Sequence, residues 1–143
     1  MKIKILMLFI VLVIVACSPK NNEKDFEVDE FGSIISYKGN STSIIIPQNI
    51  GNTQVTAIGN RVFKGKNITS VTLPESITLI GFEAFANNRL NNITIGSDVI
   101  LGLRAELEFH FVFEEDFDNF YNNNYMKGGT YIKENGQWNM IEK

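Results

Sequence analysis

A repeat with a period of 22 residues occupies the middle of this 143-residue chain. Gly59 and Phe63 return as Gly81 and Phe85. Three aliphatic positions keep the same spacing: Val71 with Ile93, Leu73 with Ile95, and Ile77 with Val99. An earlier copy at residues 44–47 is displaced further, because residues 51–55 lengthen the first coil. Self-similarity at a fixed period of this length predicts a solenoid, in which each coil buries its apolar side against its neighbours.

Apolar and small polar residues alternate within each repeat. Val71 and Leu73 are interleaved with Ser70 and Thr72, which is the pattern of a half-buried strand. Pro47 and Pro74 follow the strands, where proline can end pairing. Gly59 and Gly81 suit a corner that needs positive φ or a close backbone approach. The inward columns should join Phe63 and Phe85 in one core. Two outward columns are predicted: Ser43, Ser70 and Asn92 in the first, and Ile45, Thr72 and Thr94 in the second.

Two stretches of the chain resemble a known family. The sequence ITSVTLPESI at residues 68–77, followed by Ile80-Gly81, Ala84-Phe85 and Asn88-x-Leu90, is similar to the BspA-like leucine-rich repeat. That similarity covers residues 31–99. A second likeness, to the tail of many short family members, lies in Phe120-Tyr121, Gly129-Thr130-Tyr131 and Gly136-Gln137-Trp138.

The resemblance implies a fold class and a setting. The fold would be a β-rich α+β solenoid of leucine-rich repeat coils, with a β cap before them and a helix plus β-hairpin cap after them. Family members are surface or secreted proteins of host-associated bacteria, and several are adhesins.

The first residues are typical of a lipoprotein signal peptide. Lys2 and Lys4 precede an apolar run at residues 5–15, which is too short to span a membrane as a helix. Ile14-Val15-Ala16-Cys17 resembles a bacterial lipobox, and Cys17 is the only cysteine. We therefore expect residues 1–16 to be removed, Cys17 to be acylated, and the chain to reside in the cell envelope, at the outer membrane or cell surface. A chance cysteine near a signal cleavage site is the alternative.

The remaining chain divides into a polar tether at 17–25, an N-terminal cap at 26–43, repeats at 44–102 and a C-terminal cap at 103–143. In the first cap, two short strands around residues 29–33 would turn four side chains inward: Phe26, Val28, Ile35 and Tyr37. Alternation at residues 103–113 favours a strand over a helix and departs from the repeat, which leaves the third coil incomplete. Phe113, Phe117, Phe120 and Tyr121 fit an amphipathic helix. Asn135-Gly136 predicts a hairpin between residues 130–132 and 137–141.

Few residues suggest chemistry. His110 has no second histidine and no thiol beside it in a metal-binding spacing, so neither catalysis nor a cofactor is predicted. Four carboxylates, Glu114, Glu115, Asp116 and Asp118, could take a hard cation, although an acidic helix start is the simpler interpretation. Four aromatic residues, Tyr121, Tyr125, Tyr131 and Trp138, could form a binding patch, although packing of the cap is simpler. The formal charge of −3 argues against nucleic acid as a partner.

The sequence and the family resemblance together predict a lipid-anchored, adhesin-like binding module that recognises a protein or glycan, with the host extracellular matrix as one candidate source. The predicted ligand face comprises Ser43, Ser70, Thr72, Asn92 and Thr94. The alternative is a structural or assembly lipoprotein of the envelope that has no host ligand.

Overall fold

The computed structural model describes residues 22–102 and 111–141. The predicted signal peptide, Cys17 and most of the predicted strand at 103–113, with His110, lie outside the described residues. The elements in chain order are a 3₁₀ helix (Glu23–Asp25), β1 (Phe26–Val28), β2 (Ser33–Tyr37), β3 (Ser43–Ile45), β4 (Asn49–Ile50), β5 (Thr53–Gln54), β6 (Ala57–Ile58), β7 (Ser70–Thr72), β8 (Leu79–Ile80), β9 (Asn92–Ile95), β10 (Ile100–Leu101), α1 (Glu115–Asn123), β11 (Gly129–Glu134) and β12 (Gln137–Ile141).

Stacking of the coils forms two five-stranded sheets. The first sheet has the order β1-β2-β6-β8-β10, and the second has the order β12-β11-β9-β7-β3. Strands from successive coils pair in parallel, as in β6 with β8 and β7 with β9. The pairs β6–β8 and β7–β9 have the 22-residue register that the repeat predicts, for example Val71 beside Ile93. In β10, Ile100 pairs with Leu79, which is 21 residues earlier. The predicted solenoid fold is thus confirmed.

The glycines of the repeat allow neighbouring coils to approach each other closely. A Cβ atom on Gly81 would lie 2.3 Å from Asn60 Oδ1 and 2.7 Å from the Asn60 backbone nitrogen. No side chain fits that gap without displacing the coil before it. The Gly81 N–H instead donates to the Ile58 carbonyl at 2.8 Å. Of the two roles predicted for this glycine, the structure shows the close approach.

A ladder of aromatic rings forms the centre of the core. Phe63 and Phe85 are fully buried and stacked, with ring centroids 4.8 Å apart and planes 5° apart, as the repeat predicts. Phe113 stacks on Phe85 in the same way, at 4.9 Å and 5°. Tyr37 extends the ladder into the N-terminal cap at 5.1 Å from Phe63, and Phe117 extends it into the C-terminal cap at 4.9 Å from Phe113.

Phe113 corrects the interpretation of the third coil. The sequence placed it in a strand that departs from the repeat and in the first turn of a helix, but it lies before α1 and takes the position of the repeated phenylalanine. The Phe85 N–H donates to the Val112 carbonyl at 2.8 Å, just as the Phe63 N–H donates to the Ala84 carbonyl. The spacing from Phe85 to Phe113 exceeds the repeat period, which hid this third rung in the sequence.

One buried asparagine ties neighbouring coils together. The Asn88 Oδ1 accepts hydrogen bonds from the N–H groups of Lys66 and Ile68, both at 3.0 Å. Its amide nitrogen donates to the carbonyls of Phe63 at 2.8 Å and Phe85 at 2.6 Å. A single side chain thus satisfies backbone groups that the corner of the coil leaves without partners.

The C-terminal cap contains the predicted helix and hairpin. Phe117 and Tyr121 on α1 are fully buried, and β11 and β12 flank the Asn135-Gly136 turn, in which both residues have positive φ. The hairpin also extends the second sheet, because β11 pairs antiparallel with β9. Tyr121 fastens the helix to the last coil: its hydroxyl donates to the Gly96 carbonyl at 2.8 Å and accepts from the Val99 N–H at 3.1 Å.

The N-terminal cap has the two predicted strands with one error of phase. Phe26 and Tyr37 are buried as expected, and Val28 is half-buried. Ile35 was predicted to point inward but is 56% exposed, and Ile34 is buried in its place. The cause is a bulge: Glu27 pairs with Ser36 and Val28 with Ile34, so Ile35 has no opposite residue. An extra residue in one strand reverses the alternation beyond it.

Candidate ligand-binding face

The predicted ligand residues lie together on the outer face of the second sheet. Register places Ser43, Ser70 and Asn92 in one row across β3, β7 and β9, and Ile45, Thr72 and Thr94 in the next. All of these side chains are half-buried except Ile45, which is exposed. Their neighbours in each strand, such as Val71 and Ile93, point into the core.

The face is wider than the sequence indicated. Because β11 pairs with β9, Thr130 continues the row of Thr94, and Ile132 continues the row of Asn92. The hydroxyls of Thr94 and Thr130 lie 3.0 Å apart, within hydrogen-bonding distance. We name the surface formed by Ser43, Ser70, Thr72, Asn92, Thr94, Thr130 and Ile132 the Ser/Thr face. The hairpin itself was visible in the sequence, but its antiparallel docking on β9 joins distant segments and left no local signal.

The Ser/Thr face is neutral. None of its residues is charged, and the nearest lysine of the hairpin, Lys133, directly follows Ile132 in β11 and so projects to the opposite side. Its ammonium binds Asp116 at 2.6 Å and Glu114 at 3.4 Å in the cap. The small hydroxyl and amide groups of this surface can form hydrogen bonds with a ligand.

The outer face of the first sheet has a different character. Its register aligns Ala57, Leu79 and Ile100 in one outward row, with Ile100 52% exposed. Phe31, at the turn between β1 and β2, is 80% exposed. The two outer faces of one solenoid therefore present an apolar row on one side and a polar surface on the other.

Three of the four carboxylates of the acidic cluster, Glu114, Asp116 and Asp118, make contacts within the protein. Asp118 is buried and accepts hydrogen bonds from the N–H groups of Val112 at 2.6 Å and Phe113 at 3.2 Å. Burial raises the pKa of Asp118 to about 7, despite those two bonds. Burial also acts to raise the pKa of Asp116, but Lys133 and further hydrogen bonds, one of them from the Phe117 N–H, together hold that pKa below its ordinary value. Within residues 22–102 and 111–141, no group of three potential metal ligands comes together.

Three of the four aromatic residues considered as a patch are core residues. Tyr121, Tyr131 and Trp138 are buried around Phe117, so packing of the cap is the correct interpretation for them. Only Tyr125 is exposed, at 90%. An open groove of about 370 Å³ lies where the helix meets the hairpin, lined by Asp116, Phe120, Gly136, Gln137 and Trp138.

Among the described helices, none is long and apolar enough to cross a membrane.

Stacked parallel coils, an inward aromatic ladder and an outward polar sheet define a leucine-rich repeat solenoid, a class of proteins that generally act as binding modules and not as enzymes. The family described as "BspA type Leucine rich repeat region (6 copies)" matches residues 30–102. The chain belongs to this family, whose members are typically bacterial surface proteins and whose repeats mediate protein interactions.

A solved structure supports the fold. The crystal structure of a leucine-rich repeat protein of T. pallidum is similar to this chain, with a TM-score of 0.51 and 24% identity. The match covers 56% of this chain and 41% of the T. pallidum chain, so it extends over less than half of that protein. Among curated proteins no match was found.

Proposed function

We propose that this protein is a lipid-anchored binding module of the bacterial cell envelope. It recognises a protein or glycan through the Ser/Thr face, and its role is adhesin-like, with proteins of the host extracellular matrix as candidate ligands. The observation that carries the proposal is the uncharged, mainly polar surface that crosses β3, β7, β9 and β11.

The architecture explains why this surface suits recognition. Inward residues are fixed by the aromatic ladder, so their identity is set by packing. Outward residues can vary at little cost to stability, and stacking repeats them at regular intervals. Small side chains also let a ligand approach the sheet closely. One such surface supplies modest affinity, and many copies held on one membrane would raise it through avidity.

Anchoring rests on the sequence of the first residues. The apolar run, the lipobox-like Ile14 to Cys17 and the absence of any other cysteine support acylation of Cys17. More than one acyl chain gives stable attachment, where a single chain gives marginal binding. Cys17→Ser is expected to block processing or to move the protein into the aqueous phase of a detergent partition. Partitioning that is unchanged by this substitution would exclude the lipid anchor.

The binding test compares two equivalent substitutions on opposite sides of one coil. The protein lacking residues 1–16 is screened against immobilised matrix proteins and glycans, and any ligand is titrated. Thr72→Arg places a long cation in the middle of the Ser/Thr face and should weaken binding. Thr78→Arg, an exposed position beside the first sheet, is the matched control and should leave binding unchanged.

Three results would redirect the proposal. Equal loss in both variants would indicate damage to the fold, which circular dichroism would detect. Binding that survives Thr72→Arg and Thr94→Glu but is lost in Tyr125→Ala would place the site at the exposed end of the cap. Protection of the protein from protease on intact cells would support the alternative function, a structural or assembly lipoprotein that faces the periplasm.

A further inference from the structure

The edges of the two five-stranded sheets differ in how they are closed to an additional strand. In the first sheet, edge strand β10 has only two residues, and edge strand β1 is short, pairs irregularly with β2 at the Ile35 bulge and has Glu27 paired with Lys38. In the second sheet, the Ser41 hydroxyl covers β3: it donates to the Ser43 carbonyl at 2.6 Å and accepts from the Ser43 N–H at 3.3 Å. Shortness, bulges, charges and local caps all discourage pairing at an edge.

Strand β12 is neither short, bulged nor charged. Its one described side-chain cap runs from the Asn139 amide nitrogen to the Gln137 carbonyl at 3.3 Å, and the backbone groups of Gln137 face β11 and not the open edge. The strand is five residues long, Gln137–Ile141, and contains no proline and no charged residue. It pairs with β11 over its whole length without a break in register. A long, regular, uncharged edge is a template for another strand.

The backbone groups that face this edge follow from the hairpin geometry. The Lys133 N–H points away from β12, because it donates to the Asn91 carbonyl near β9 at 2.9 Å. Hydrogen-bonded and non-hydrogen-bonded pairs alternate in an antiparallel ladder. Lys133 is opposite Trp138, and Tyr131 is opposite Met140. The N–H and C=O groups of Trp138 and Met140 therefore point outward, and no backbone hydrogen bond from elsewhere in the described parts of the chain reaches them.

We propose that β12 is a self-association edge, at which two copies of this chain pair their β12 strands antiparallel about a two-fold axis at Asn139. In this register both Trp138 and Met140 exchange backbone hydrogen bonds with the second copy. With the axis at Trp138, Met140 would lie opposite the turn of the second copy. With the axis at Met140, Trp138 would lie opposite a residue beyond the end of β12. The central register therefore uses every edge-facing group of the strand.

The side chains favour a second copy as the occupant. Trp138 and Met140 lie on the inner side of the sheet and would face each other across the axis, so apolar groups meet apolar groups. On the outer side Asn139 would face Asn139 of the second copy, and Gln137 would face Ile141. Like charges that face each other across a strand pair are destabilising, and this strand contains no charged residue. Two-fold association through one self-complementary patch is the commonest arrangement of homo-oligomers.

The consequence concerns the outer face of the second sheet. Pairing at β12 would join two such sheets into one continuous sheet, with the Ser/Thr faces of both copies on the same side. Two binding surfaces held in fixed relation engage a repetitive ligand more strongly than either one alone.

The experiment uses cysteine cross-linking in the full chain carrying Cys17→Ser, so that no native thiol competes. Asn139→Cys places the two thiols on the axis in a non-hydrogen-bonded pair, whose Cα atoms lie about 4.5 Å apart, within the range of a disulfide. Gln137→Cys is the matched control on the same exposed side. Its two copies would be about 13 Å apart, four residues along the strand, too far for a disulfide.

Under mild oxidation, Asn139→Cys is expected to give several-fold more covalent dimer than Gln137→Cys on a non-reducing gel. Gln137→Cys mixed with Ile141→Cys should again give dimer, because these positions face each other, while each alone should not. Equal cross-linking by all three variants, or none by Asn139→Cys, would overturn the proposal. So would an Asn139→Cys product that contains a different protein.

A charge exchange supplies a second test that needs no oxidation. Asn139→Lys and Asn139→Asp each put like charges on the axis, and each should lower the fraction of dimer in sedimentation. Their mixture should restore it, because unlike charges then meet. Circular dichroism should be unchanged in both variants, since residue 139 points outward and is exposed. Dimer content that is the same in all three samples would contradict pairing at β12.

Discussion

Single buried polar residues fasten the coils to one another and to the C-terminal cap. Asn88 joins two coils, because its side chain forms hydrogen bonds with backbone groups of both. Asp118 was grouped with three other acids at a helix start. The structure distinguishes Asp118 from the other three, because it is buried and accepts hydrogen bonds from the backbone of Val112 and Phe113, just before α1. Pattern identifies such residues, but only three-dimensional packing assigns their partners.

Asp118 should make stability depend on pH. Burial raises its pKa in the folded protein to about 7, well above the roughly 3.9 of an unfolded aspartate. Between these values the folded state binds a proton that the unfolded state has lost, so the free energy of unfolding should fall as pH rises from about 4 to about 7. The slope is at most about 1.4 kcal/mol per pH unit, and it vanishes above the folded pKa.

The measurement is the free energy of unfolding at several pH values in the parent and in Asp118→Asn. Asparagine stays neutral, so its profile should be flatter in this window. Glu83, whose pKa is lowered to about 2 by hydrogen bonds from Lys64 and Arg61, titrates at lower pH and changes stability in the opposite direction. Subtracting the two profiles isolates Asp118. A difference that does not change with pH would show that this carboxyl titrates normally.

At the scale of elements, local patterns predicted the strands, the helix and the hairpin, and missed the features that depend on insertions. The bulge at Ile35 changed which side chains of β2 point inward. The sequence of one strand does not show which of its residues will have no partner in the neighbouring strand. The extra residues between Leu101 and Phe113 hid the third aromatic rung. The docking of β11 on β9 joins segments far apart in sequence. In each case the local structure of the segment could be predicted from its sequence. The segment with which it pairs or packs could not.

The ladder makes a prediction for Phe113. It is fully buried between Phe85 and Phe117, with centroids 4.9 Å from both rings. Truncation of a buried phenylalanine costs about 3–5 kcal/mol. Phe113→Ala should therefore lower the free energy of unfolding as much as Phe85→Ala does, although the sequence repeat contains only the latter position.

Chemical denaturation of the two variants measures this, with Phe31→Ala as control. Phe31 is 80% exposed, so its truncation should change stability by less than about 0.5 kcal/mol. A Phe113→Ala variant as stable as the Phe31→Ala control would show that the third rung does not carry packing energy.

For the molecule as a whole, the caps and the coils share one core. Tyr37 continues the ladder at one end, with Phe26 5.0 Å from it, and Phe117 continues it at the other end, with Trp138 4.9 Å from it. The repeat alone predicted few coils, fewer than a solenoid usually needs, and therefore required caps. Their general position could be predicted from the sequence. That each cap inserts its own aromatic rings into the ladder could not, because the caps carry no copy of the repeat.

A shared core predicts that the protein unfolds in one step. Trp138 is the only tryptophan, so its fluorescence reports on the C-terminal cap, while far-ultraviolet circular dichroism reports on all strands. The two signals should have the same denaturation midpoint, because no coil is stable without its neighbours. Phe26→Ala, at the opposite end of the ladder, should shift the Trp138 transition by as much as it shifts the circular dichroism. If the fluorescence midpoint stayed at its parental value while the dichroism moved, the caps would be separate folding units and the ladder would not couple them.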